Sequence, residues 1–208
     1  MTEPHRELAA EVIGLLVVRG ETVAVAESLT GGTLAGALTA IPGASAVFRG
    51  GVVAYATDLK SSLLGVPQHL LDRYGAVHPE VAAAMAVGVC RRLAAAAGAA
   101  TTGVAGPDAA DGQPVGTVHI AVSVGGTTTT RALCLSGDRH QIRSATVEQS
   151  LRLLVGKLRE DSIRLHRYPT EHAAMPSPER SVPAGTVGES AERPRKGGDD
   201  GPASSLAR

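Results

Sequence analysis

Residues 23–32 read Val-Ala-Val-Ala-Glu-Ser-Leu-Thr-Gly-Gly. The apolar run at 22–26 is the pattern of a buried strand, and the small residues from about Gly32 to Ala40 then fall into a helical period. A strand turning straight into a helix is half of a β-α unit, so the fold depends on whether that alternation recurs. The corner also carries chemistry. Such turns project backbone N–H groups and short hydroxyls beyond the sheet, where an anion or a developing oxyanion can be held. Ser28 there reads either as a helix-capping hydroxyl or as a nucleophile.

The alternation does recur. Upstream, Leu8, Val12, Leu15 and Leu16 form one stripe of a helix over 5–19, ended by Gly20. Downstream, Val47 to Tyr55 is a second strand, with Gly50 and Gly51 marking a bulge or a close backbone approach. Asp58 is placed to cap a short helix through Leu64, stopped by Gly65 and Pro67, and Pro79 opens an alanine-rich helix to Ala97. Ala100 to Ala105 is a third strand. Residues 116–124 and 128–135 form a hairpin across Gly125-Gly126, and a last helix runs from about Asp138 to Arg159. This order predicts an α/β protein, a three-layer α/β/α sandwich around a mixed sheet.

Residues 1–160 are therefore expected to form one domain. Residues 161–208 hold six of the twelve prolines and seven charges of each sign, with few aliphatic residues. That composition predicts a disordered tail, because it cannot bury enough apolar surface to offset ordering entropy.

Composition excludes several classes. The 208 residues carry 20 basic and 20 acidic side chains and 2% aromatics, so neither a basic footprint nor stacking platforms for nucleic acid are present. Cys90 and Cys134 lie in apolar runs without a C-x-x-C and read as small buried hydrophobes, forming neither a disulfide nor a zinc site. The N-terminus has no secretory pattern and no apolar run approaches a membrane span, so a soluble cytoplasmic protein is expected. The phosphate-loop, zincin and nucleophile-elbow motifs are absent. The seven histidines lack metal-ligand spacing, and His119 reads as a satisfied, half-buried residue. No metal and no cofactor are expected.

Hydroxyl and amine chemistry remain. Of the basic residues only Lys60, Lys157 and Lys196 are lysines, and Lys60 alone lies in the body of the domain. A desolvated lysine can surrender its proton and act as a base, which arginine cannot. Lys60 reads as that base or as an ordinary solvated helix lysine. Tyr55 reads as a core residue with a surface hydroxyl, or as a proton relay.

Taken together, A-E-S-L-T-G-G at 26–32, P-G-A-S-A-V-F-R-G-G-V-V-A-Y at 42–55, Lys60 with L-L-G-V at 63–66, Y-G-A-V at 74–77, T-G-V-A-G-P at 102–107 and P-V-G-T-V at 114–118 resemble the C-terminal domain of the competence-damage-inducible protein (CinA) family. The resemblance covers about residues 5–160. It implies a metal-free nicotinamide-nucleotide amidohydrolase that deamidates nicotinamide mononucleotide, with Ser28 as nucleophile, Lys60 as base and Tyr55 beside them. Three positions depart from the pattern. Leu29 replaces a usual cysteine and His78 a usual capping serine, and the loop over 108–113 is shortened, with Gln113 where lysine is common.

The chemistry expected of such a site has Thr30, Gly31 and Gly32 contacting substrate, the glycine amides facing the oxyanion. The turn containing Thr102, Gly103 and Gly106 would receive the phosphate. The expected partner is a small-molecule nucleotide, not nucleic acid or membrane, and a homodimer is left open. Two alternatives stand beside this: a non-catalytic nucleotide-binding or regulatory module, and an amidase for a different small amide.

Overall fold

A computed structural model describes residues 2–167 of the chain. Helix α1 (Glu3–Arg19) precedes β1 (Val23–Glu27), α2 (Thr33–Thr39) and β2 (Phe48–Val53). Helices α3 (Thr57–Leu64), α4 (Gln68–Tyr74) and α5 (Pro79–Leu93) lead to β3 (Ala97–Gly103). The hairpin β4 (Thr117–Val124) and β5 (Thr127–Cys134) is followed by α6 (Arg139–Arg167).

The five strands form one mixed sheet in the order β2-β1-β3-β4-β5. The β1 strand pairs in parallel with β2 and β3, and β4 is antiparallel to both β3 and β5. Gly125 and Gly126 turn the hairpin with φ of 56° and 75°, values that a side chain rarely tolerates at both positions of a two-residue turn.

Side-chain alternation along the strands builds two cores. Val23 and Val25 join α1, α2 and α6 on one face, whereas Ala24 and Ala26 join α3, α4 and α5 on the other. The small residues on the second face let helices approach closely. A Cβ at Gly98 would strike the Ala86 carbonyl, and one at Gly88 the Leu64 carbonyl.

The chain leaves β1 over the α2 face to reach β2, then crosses the opposite face through α3–α5 to reach β3. Neighbours of β1 on its two sides are thus reached over opposite faces. The crevice beyond the carboxyl ends of β1 and β3 is a topological switch point, where open α/β sheets bind ligands.

Several boundaries differ from the sequence expectation. The alanine run after Leu93 breaks the helix, with Ala94 at φ 49°, and β3 starts at Ala97, because burial between β1 and β4 overrides alanine's helical preference. Helix α4 has no counterpart in the expected elements, its seven residues being too short for a clear period. Asp58 lies in the first turn of α3, whose N-cap is Ala56. Helix α6 runs on to Arg167, and Asp161, 5% exposed, pairs with Arg19 at 2.6 Å. Residues 161–167 therefore belong to the domain and not to a tail; the remainder of the expected tail lies outside the described residues.

Candidate active site

Ser28 follows the last residue of β1, and its amide donates to the Thr101 carbonyl at 3.0 Å, which extends the β1–β3 ladder by one step. Its hydroxyl accepts a hydrogen bond from Lys60 Nζ at 3.2 Å. Lys60 reaches this point because α3 starts just past the end of β2, and its Nζ also donates to the Ala54 carbonyl at 2.8 Å. The lysine is only 1% exposed. Burial pushes its pKa below the ordinary lysine value, against the opposing fields of Asp111 and Asp58. An amine that gives up its proton readily is thus in contact with a hydroxyl.

The corner itself is organised by Glu27. This carboxylate is 1% exposed and accepts from the amides of Gly32 at 2.9 Å, Leu34 at 3.1 Å and Ala35 at 2.8 Å. It occupies the positive end of α2 with a resident negative charge. Gly31 N–H is directed to the Ser28 carbonyl at 3.1 Å. The amides of Gly31 and Gly32 are therefore committed to the protein, which corrects the expectation that they face the oxyanion. Thr30 is corrected as well. It is fully buried, its hydroxyl is paired with that of Thr101 at 2.8 Å, and it braces the corner without reaching the cleft. The sequence signal for Glu27 was an acidic residue ending an apolar strand just before a helix N-terminus.

Ser28 and Lys60 open into a cleft of about 260 Å³, whose walls include Tyr55, Thr102, Gly103 and Gly106. Tyr55 is in the cleft, but its hydroxyl accepts from Arg139 Nη2 at 2.8 Å and makes no bond to Ser28 or Lys60 among the described residues. A relay through Tyr55 is thus not formed. Arg139, which sequence reasoning missed, comes from the first turn of α6 and also donates to the Gly106 carbonyl at 2.6 Å. Nothing in its local sequence distinguishes it from the other arginines. Thr102 turns its hydroxyl to the Ala76 carbonyl at 2.7 Å, and Val104 N–H goes to the Thr117 carbonyl at 2.9 Å. The amides of Leu29 and Ala105, both residues of the cleft wall, make no hydrogen bond among the described residues.

Three side expectations resolve here. Cys134 is exposed on the edge strand β5 and Cys90 half-buried, so neither is the fully buried hydrophobe expected, though both are free thiols. His119 is half-buried, but its Nδ1 has no hydrogen-bond partner among the described residues, so the satisfied histidine expected is not found there. Burial and the neighbouring His78 push its pKa below the usual histidine value. His78 does cap α5, its Nδ1 accepting from Glu80 N–H at 3.3 Å while the ring stacks on Tyr74. No cluster of three His, Cys, Asp or Glu residues able to hold a metal occurs among the described residues, and no helix there is long and apolar enough to cross a membrane.

Comparison with known proteins places this arrangement. A CinA-like protein from Frankia casuarinae is 55% identical over 147 residues, covering 71% of this chain and 34% of the relative. A CinA-like protein from Gloeobacter violaceus is 51% identical over 150 residues, covering 71% of this chain and 35% of the relative. The chain thus spans about a third of the length of these relatives. Among solved structures, the competence/damage inducible protein CihA from Agrobacterium tumefaciens superposes with a TM-score of 0.73 at 38% identity, covering 76% of this chain and 98% of that one. The CinA superfamily protein from Escherichia coli gives 0.71 at 32%, with coverage of 74% and 92%. The family model described as the CinA C-terminal domain matches residues 5–158, and with these relatives it establishes that the chain belongs to the CinA C-terminal domain family.

Proposed function

We propose that the chain is an amidohydrolase that converts nicotinamide mononucleotide to nicotinate mononucleotide and ammonia. The observation that carries this reading is the 3.2 Å contact between Ser28 Oγ and the desolvated Lys60 Nζ at the floor of a cleft. Neutral Lys60 takes the Ser28 proton as Oγ attacks the carboxamide carbon, giving a tetrahedral oxyanion. The amide of Leu29, next to the nucleophile and uncommitted among the described residues, is the donor that would meet that oxyanion. On collapse the C–N bond breaks, Lys60 returns the proton to the leaving nitrogen, and ammonia departs. Water then attacks the resulting serine ester, with Lys60 accepting its proton and passing it back to Ser28. The substrate's phosphate meets Arg139 at the mouth of the cleft.

Ammonia release from nicotinamide mononucleotide by the purified chain tests the reading, with the Ser28→Ala variant as control. A second reading, a nucleotide-binding module without turnover, is favoured by the altered loop over 108–113, whose Asp108 and Asp111 in the cleft wall oppose a developing oxyanion. It would show as a thermal shift with the nucleotide and no ammonia.

A further inference from the structure

The charged groups of the cleft are unusual for a site that receives a phosphorylated substrate. Asp108 and Asp111 face it together with Arg139 and Lys60. Once Lys60 is neutral, as a base must be at the moment of attack, two carboxylates stand against one guanidinium. The loop over 108–113 that supplies both acids contains no lysine or arginine to offset them.

Asp111 is held firmly in this position. Its backbone lies in the left-handed region at φ 51°, which aspartate and asparagine tolerate better than most residues. Its Oδ2 accepts from Ala76 N–H at 3.0 Å, and the Ala76 carbonyl in turn accepts from the Thr102 hydroxyl. Gly75, next to Ala76, takes φ 72°, a left-handed backbone that favours glycine. The second oxygen, Oδ1, makes no hydrogen bond among the described residues, and neither does Asp108. The field of Asp111 extends to Lys60, whose proton it helps to retain.

Carboxylates within reach of a developing oxyanion oppose its formation unless a positive charge lies between them. The protein supplies none once Lys60 is neutral, apart from Arg139, which is already bonded to Tyr55 and Gly106. We infer that Asp111, assisted by Asp108, makes the cleft selective for a carboxamide borne on a cationic ring and against the same amide on a neutral ring. The inference rests on the amidase reading of this site. It assigns the two acids to the ring and leaves the phosphate to Arg139, so that the substrate brings the charge the pocket lacks.

The test is binding of oxidised and reduced nicotinamide mononucleotide, which share ribose and phosphate and differ in the ring's charge. Both are titrated calorimetrically into Ser28→Ala protein, which cannot turn them over, and into the same protein carrying Asp111→Asn. Asparagine keeps the acceptor for Ala76 N–H and tolerates the left-handed backbone, so the loop is retained. The cationic form is expected to bind about fivefold or more tightly than the neutral form, a preference that shrinks as salt rises. Asp111→Asn should remove most of that preference by weakening the cationic form, without weakening the neutral form. Asp108→Asn, at a residue without a protein hydrogen bond, should remove part of it, and it carries the test if Asp111→Asn does not fold. Equal affinities for the two forms, no binding of the oxidised form, or an unchanged ratio in both variants would overturn the inference. Ammonia release by the wild-type chain is measured alongside. A cleft that prefers the cation but releases no ammonia would sink the amidase reading and leave the charge selectivity standing.

Discussion

Lys60 Nζ donates to Ser28 Oγ at 3.2 Å although the two residues stand 32 positions apart, and Ser28 makes no side-chain bond to the helix that follows it. The hydroxyl is therefore not a cap, that duty having passed to Glu27. Ser28→Ala is expected to cost only about 1 kcal/mol, one hydrogen bond's worth, and to lower Tm by a few degrees. If Ser28 is the nucleophile, ammonia release falls to background while nucleotide binding persists. Sustained turnover by the folded variant would refute the serine mechanism.

Lys60 should be a stability liability as well as a base. Its folded pKa lies below the ordinary 10.5, so burial penalises the charged form. That penalty is fully present below the folded-state pKa and fades as pH rises towards 10.5, because over that window the unfolded chain holds the proton longer. Lys60→Met is expected to melt no lower than wild type at neutral pH, with any advantage shrinking in alkali, and to be inactive. For the wild-type chain, kcat/KM should rise with pH along a limb whose midpoint lies below that of a free lysine. A flat profile would remove Lys60 from the base role.

Glu27→Gln replaces an acceptor oxygen with an amide nitrogen facing the N–H groups of α2. A loss of about 1–3 kcal/mol is expected, with kcat falling more than KM rises because the Ser28 corner shifts. Unchanged melting would show that α2 finds other partners.

The Tyr55 hydroxyl is bonded to Arg139 and not to Lys60. Tyr55→Phe is therefore expected to keep kcat within about threefold and to raise KM modestly, since a guanidinium loses one partner. A collapse of kcat matching that of Lys60→Met would restore Tyr55 as a proton relay.

Ending the chain after Glu160 removes Asp161, whose carboxylate meets Arg19 with both side chains under a tenth exposed. Arg19 keeps its bidentate pair with Glu21 but loses charge-assisted bonds to Asp161 and to the Ser162 hydroxyl, so a loss of about 2 kcal/mol and a melting temperature lowered by several degrees are expected. The single change Asp161→Ala should reproduce most of this. No change in either protein would make residues from 161 onward dispensable.

The sequence by itself determined all the strands, every α-helix but α4, and their layering. Val-Ala-Val-Ala alternation in β1, Pro79 at the start of α5 and Gly125-Gly126 in the hairpin act over a few residues, and such signals survive in one dimension. It also singled out Ser28 and Lys60, by lysine scarcity and by likeness to the CinA pattern. The tertiary structure alone decided which hydrogen bonds the corner makes. Whether a glycine amide is free depends on where the Glu27 carboxylate turns. Whether Tyr55 meets a lysine or an arginine depends on the first turn of α6, 84 residues away. Whether Asp111 reaches the cleft depends on a backbone bend that composition does not announce. Asp161 likewise reads as the start of a polar tail until α1 brings Arg19 beside it. Partners of this kind are set by packing between distant segments, and each donor or acceptor satisfied there is withdrawn from the chemistry its local motif would suggest.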